Sequence, residues 1–80
     1  MNKGTLTAKY IGPSTQIFGQ YVRNGDIKRL VYSKSANGLS ITVFGGEPIT
    51  YESSELFYHS WDMENIADRY KRTNPDLGSW

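Results

Sequence analysis

Apolar and polar residues alternate with a period of two through most of residues 5–52. That period puts successive side chains on opposite faces of an extended chain, so it selects half-buried β-strands over helices. Leu6, Ala8 and Tyr10 alternate with Thr5, Thr7 and Lys9, and the run stops at Gly12-Pro13 because proline cannot continue a ladder. Ile17 to Val22 is a weaker strand, interrupted by Gly19. Asn24-Gly25 is a strong hairpin signal, since both residues tolerate positive φ. Ile27 to Lys34 follows, with Leu30 and Tyr32 on one face and Arg29, Val31 and Ser33 on the other. Ala36-Asn37-Gly38 gives a second Asn-Gly turn, after which Leu39, Ile41 and Val43 alternate with Ser40 and Thr42. Gly45-Gly46-Glu47-Pro48 is a third turn, before a strand over Ile49 to Glu52. Turns at intervals of about 12 residues or fewer predict a small barrel or a curled meander.

The last third reads differently. Ser53 to Phe57 suits a single helical turn, and Tyr58 to Trp61 a short strand. Asp62 is a good N-cap for a helix over 62–72, in which Met63, Ile66, Ala67 and Tyr70 share one face. Its acids come early and its bases late, matching the helix macrodipole. Asn74-Pro75 ends it. The expectation is one domain over 1–80, with a barrel over about 4–61, a helix over 62–72 and a tail over 73–80.

Two short segments resemble a known family. Ala8-Lys9-Tyr10-Ile11-Gly12-Pro13-Ser14 is similar to the opening strand and turn of short SH3-like barrel proteins of bacteria and phages. Ser54-Glu55-Leu56-Phe57, after the strand carrying Tyr51, resembles the closing turn of the same proteins. The resemblance implies a β-rich α+β fold, namely a five-stranded SH3-like barrel with a one-turn helix before the last strand. The predicted C-terminal helix is an addition to that barrel. Gly19-Gln20-Tyr21-Val22 stands where the family has a compact hairpin. The family is a binding scaffold, so the resemblance carries over no catalytic residue.

The residue inventory narrows the chemistry. The chain has no cysteine, which removes disulfides, thiolate nucleophiles and cysteine-based zinc sites. His59 is the only histidine, and no Gly-x-Ser-x-Gly elbow accompanies it. His59 and Asp62 lack a zinc-type partner spacing, so neither a metal nor any other cofactor is expected. Glu52, Glu55, Asp62, Glu64 and Asp68 read as solvated acids rather than a catalytic pair. Gly45-Gly46 lacks the Lys-Ser/Thr of a phosphate loop and reads as a turn. No apolar run is long enough to span a membrane and no leader pattern opens the chain, so a non-membrane, cytoplasmic protein that is not an enzyme is expected.

Charge is more informative. The net charge is only +1, far from a polyelectrolyte clamp on DNA. Yet residues 1–34 carry Lys3, Lys9, Arg23, Lys28, Arg29 and Lys34 against Asp26 alone. Residues 35–68 carry Glu47, Glu52, Glu55, Asp62, Glu64 and Asp68 with no base. Such segregation either intermixes on folding or gives an acidic and a basic surface. Aromatic residues are 14% of the chain, enough for a core and for surface anchors. Tyr10 and Phe57 are assigned to the core, whereas Tyr21, Tyr32 and Phe44 suit either role.

The resulting expectation is a protein-interaction module using Tyr51, Glu52, Glu55, Tyr58 and Trp61 to dock on a basic protein surface. With the family resemblance, this becomes a phage or mobile-element accessory protein that inhibits a host protein. The alternative is a small nucleic-acid-binding barrel with a basic patch of Lys28, Arg29 and Lys34.

Overall fold

The computed structural model describes residues 3–17, 19–36, 38–43 and 46–75. Alternating segments form β1 (Lys3–Tyr10), β2 (Thr15–Ile17), β3 (Gln20–Val22), β4 (Ile27–Ser35), β5 (Gly38–Val43) and β6 (Ile49–Tyr51). Helix α1 (Ser54–Ser60), strand β7 (Trp61–Asp62) and helix α2 (Asp68–Thr73) complete the order. Five strands make one antiparallel sheet in the order β6-β5-β4-β1-β7, while β2 and β3 form a separate hairpin. The sheet curls into a half-barrel, and the molecule measures 29 × 28 × 23 Å.

The concave face gathers the residues that the alternation assigns to the core. Leu6, Ala8, Tyr10, Leu30, Leu39, Ile41 and Val43 are buried there with Val22, Phe57 and Trp61. Tyr32, Ile17, Ile49, Tyr51 and Met63 pack around them. The β4–β5 hairpin pairs Ser35 with Gly38 and Leu30 with Val43. Gly38 has φ 129°, and a Cβ there would collide with the Tyr51 carbonyl oxygen of β6, so both backbone and space demand glycine. Asn37 and Gly45, assigned to the second and third turns, lie outside the described residues, as do Phe44 and most of the expected tail.

Three expectations need correction. Gly19 does not interrupt one strand; with φ 75° it sits between β2 and β3, which pair Thr15 with Val22. Asn24-Gly25 does make a turn, with the Asp26 N–H donating to the Arg23 carbonyl at 3.0 Å. The flanking strands β3 and β4 do not pair. The turn closes on β1 instead: Tyr10 N–H donates to the Asp26 carbonyl and Gly25 N–H to the Tyr10 carbonyl, both at 2.7 Å.

The single C-terminal helix over 62–72 is replaced by two short helices. Helix α1 runs through the segment read as a turn and a strand. Ser53 is extended, and its Oγ accepts the Leu56 N–H at 3.3 Å as an N-cap. Phe57 lies one turn beyond Ser54, and both are buried, which outweighs the β-propensity of Tyr58. Asp62 fails to start a helix because β1 holds it extended, paired with Lys9. Its Oδ1 accepts the N–H groups of Glu64 at 2.8 Å and Asn65 at 3.2 Å. This local turn competes with helix propagation. Bends occupy 63–66, and α2 starts only at Asp68. Met63, Ile66, Ala67 and Tyr70 therefore share no helical face; Ile66 is buried, Met63 and Tyr70 are half-buried, and Ala67 is exposed.

Candidate functional site

Tyr10, Tyr51, Phe57, Tyr58 and Trp61 converge where β1, β6, α1 and β7 meet. Spacing of four residues stacks Phe57 on Trp61, their centroids 6.4 Å apart at 15°. Tyr10 meets the Trp61 ring edge-on at 5.1 Å, and Tyr51 meets Phe57 at 5.4 Å. Trp61 Nε1 donates to the Tyr51 hydroxyl at 3.1 Å, and the Tyr10 hydroxyl donates to the Pro13 carbonyl at 2.8 Å. Burial pushes the Tyr51 phenol above its ordinary pKa, while the Trp61 hydrogen bond pulls the other way and Tyr10 adds to the rise.

This arrangement divides the expected binding residues. Trp61 is 0% exposed and belongs to the core, not to a docking surface. Tyr51 is half-buried against the same cluster. Glu52, Glu55 and Tyr58 are exposed, with Tyr58 at 40% and its ring edge-to-face with Phe57 at 5.5 Å. Glu55 precedes Tyr58 by three residues on α1, so the two are neighbours on the helix surface.

Beside Tyr58 is a groove of about 350 Å³, open to solvent, lined by Ile11, Tyr58, Asp62, Met63 and Glu64 and backed by the buried Trp61. Ile11 sits just beyond β1 and is 41% exposed, anchored by its N–H donating to the Ser60 carbonyl at 2.7 Å. Ile11, Tyr58 and Met63 supply apolar surface, and Asp62 and Glu64 supply acid. The Asn65 side-chain amide, 2.5 Å from Asp62 Oδ2, and the Glu64 N–H hold the Asp62 carboxyl below the usual range, with Lys9 adding a smaller attraction. Asp62 is therefore anionic at neutral pH. Sequence reasoning did not assign Ile11, Met63 or Glu64 to a binding site, reading Met63 as a helix-face residue and Glu64 as a solvated acid. The usable signal was the position of Ile11, an apolar residue on the outward parity of β1.

The basic alternative is also divided. Lys28 and Lys34 share the parity of buried Leu30, whereas Arg29 points to the opposite face. The convex face instead has Lys3 and Lys9 from β1 with Arg29 from β4, set among Thr5, Ser33, Ser40 and Thr42. Arg29 Nη2 donates to Thr5 Oγ1 at 3.4 Å. Tyr21, 57% exposed on the β2–β3 hairpin, lies 5.6 Å from the Arg23 guanidinium. Among the described residues no three His, Asp or Glu side chains gather as metal ligands, and no helix is long and apolar enough to cross a membrane.

No family model matches the chain, and no curated protein or solved structure matches it either.

Proposed function

We propose that the protein is a non-catalytic binding module whose groove takes a cationic segment of a partner protein carrying at least one large apolar side chain. The observation behind this reading is the groove itself: apolar Ile11, Tyr58 and Met63 beside Asp62 and Glu64, with Glu52 and Glu55 exposed nearby on the chain. Aromatic anchors dominate binding energy, while surrounding charge sets encounter rate and partner choice. An SH3-like barrel suits such a role. Five antiparallel strands with a short helix before the last one are in keeping with that fold. A phage or mobile-element setting, in which the partner is a host protein inhibited by docking, rests on the family resemblance and adds no residue to the site.

The test is titration with a panel of short Lys/Arg-rich peptides bearing one Leu, Phe or Trp. Tyr58→Ala weakens binding by more than about 2 kcal/mol, the scale of an anchor residue. Asp62→Asn with Glu64→Gln slows association more than it speeds dissociation. Peptide binding that is indifferent to both variants refutes the reading.

The hairpin supports a second reading, nucleic-acid binding, because an exposed Tyr21 beside Arg23 is a stacking platform next to a cation. Oligonucleotide affinity that falls steeply with salt and is lost in Tyr21→Ala is its signature.

A further inference from the structure

Backbone groups in β1 alternate in direction. Tyr10 turns its N–H and carbonyl toward the Arg23–Asp26 turn that leads into β4. Ile11 turns its N–H the other way, to Ser60. Odd-numbered residues of β1 thus address the edge away from β4. Lys9 is met there by Asp62 of β7, which is only two residues long. At Thr7 no strand remains, and a side chain takes its place. Asn74 Oδ1 accepts the Thr7 N–H at 2.7 Å, and Asn74 Nδ2 donates to the Thr7 carbonyl at 2.8 Å. The carboxamide reproduces the pair of hydrogen bonds that a neighbouring strand would make. Asn74 is held in place as the C-cap of α2, its N–H donating to the Tyr70 and Lys71 carbonyls. Beyond Thr7, the outward N–H and carbonyl groups of Thr5 and Lys3 have no partner among the described residues.

We propose that the β1 edge from Lys3 to Thr7 takes an extended acidic peptide as an added strand, which displaces the Asn74 carboxamide from Thr7. Edge addition supplies main-chain hydrogen bonds, while alternate side chains of the added strand give specificity. Its outward side chains would lie beside Lys3 and Thr5, next to Arg29 in the neighbouring strand, because Thr7 is already covered at 5% exposure. Lys3 and Arg29 favour acids at those positions, and Lys9 is already faced by Asp62. The same cations disfavour a basic peptide. This surface is distinct from the groove at Tyr58 and does not depend on it.

The experiment uses the full chain and a labelled eight-residue peptide alternating Glu and Val, alongside a Lys-Val peptide and a Glu-Val peptide N-methylated at alternate residues. The Glu-Val peptide binds and slows hydrogen exchange at the Thr5 and Lys3 amides. The Lys-Val and N-methylated peptides bind at least about tenfold more weakly, having lost charge complementarity or the ladder hydrogen bonds. Asn74→Ala tightens Glu-Val binding severalfold, because two internal hydrogen bonds no longer have to be exchanged. Tyr58→Ala leaves it unchanged, which separates this edge from the groove. Failure of the Glu-Val peptide to bind, equal binding by the N-methylated peptide, or binding without protection at Thr5 overturns the proposal. So does an oligonucleotide that displaces the peptide yet leaves the Thr5 amide exchanging freely, since that assigns the cations to a phosphate backbone.

Discussion

Trp61→Phe separates a core role for this residue from a docking role. Trp61 is fully buried, stacks on Phe57, meets Tyr10 edge-on and donates Nε1 to the Tyr51 hydroxyl at 3.1 Å. Phenylalanine keeps a ring but removes the donor, a loss of about 1 kcal/mol for an ordinary hydrogen bond. The smaller ring also gives up roughly 40–60 Å² of buried apolar surface, about 1–1.5 kcal/mol at ~25 cal/mol per Å². The combined loss is about 2–2.5 kcal/mol, and at about 4–8 °C per kcal/mol for a small domain it lowers Tm by roughly 8–20 °C. Urea and thermal unfolding at pH 7 measure it, with the midpoint falling and the m-value unchanged. Tyr58→Ala is the control: its ring is partly exposed, so its stability cost is smaller while its binding cost is larger. A Trp61→Phe cost below about 0.5 kcal/mol, with peptide binding lost, would put Trp61 at the surface and refute the argument.

Ile41→Ala empties a fully buried site between Tyr32 and Ile49 and costs about 2–5 kcal/mol in urea unfolding. Gly38→Ala forces a Cβ against the Tyr51 carbonyl at φ 129° and destabilises by about 1–3 kcal/mol, with loss of exchange protection in β6. Asp62 has a folded-state pKa below its unfolded value, so its stabilising contribution is present above about pH 4 and is lost as pH falls through the lower folded value. Carbon-detected NMR titration gives an Asp62 midpoint below the ordinary aspartate value, and Asp62→Asn removes this part of the acid dependence. Tyr51 runs the opposite way: its folded pKa is raised, so its contribution is present below about pH 10 and is lost as pH rises through the higher folded value, followed by phenolate absorbance.

Period-two alternation made the inner faces of β1, β4 and β5 legible, because each side chain's face follows from parity once one face is buried. A helical turn was legible at Ser53 to Phe57 but not its continuation to Ser60; the Ser53 cap, its Oγ accepting the Leu56 N–H, is local chemistry. The elements that depend on distant partners were not. Asp62 carries the sequence signature of an N-cap, but pairing with Lys9 and its own hydrogen bonds to Glu64 and Asn65 hold it in a strand and a turn. Tyr58 and Trp61 look equivalent as aromatic residues in an acidic stretch, and only the path of α1 turns one outward and the other into the core. Lys28, Arg29 and Lys34 look like a patch along the chain, yet strand parity divides them. The groove joins Ile11 to Met63 and Glu64, residues far apart in sequence, so no local signal could have assembled it.

The placement of β1 between β4 and β7 has a consequence for biosynthesis. Residues 27–35 can pair with β1 as soon as they are available, but its other edge waits for residues 61–62 and for Asn74. During that interval the nascent chain presents an unprotected strand, the arrangement most prone to pairing with another molecule. Lys3 and Lys9 flank the exposed segment and repel a second copy of the same strand, so the charges guard the unfinished chain before they serve the finished one.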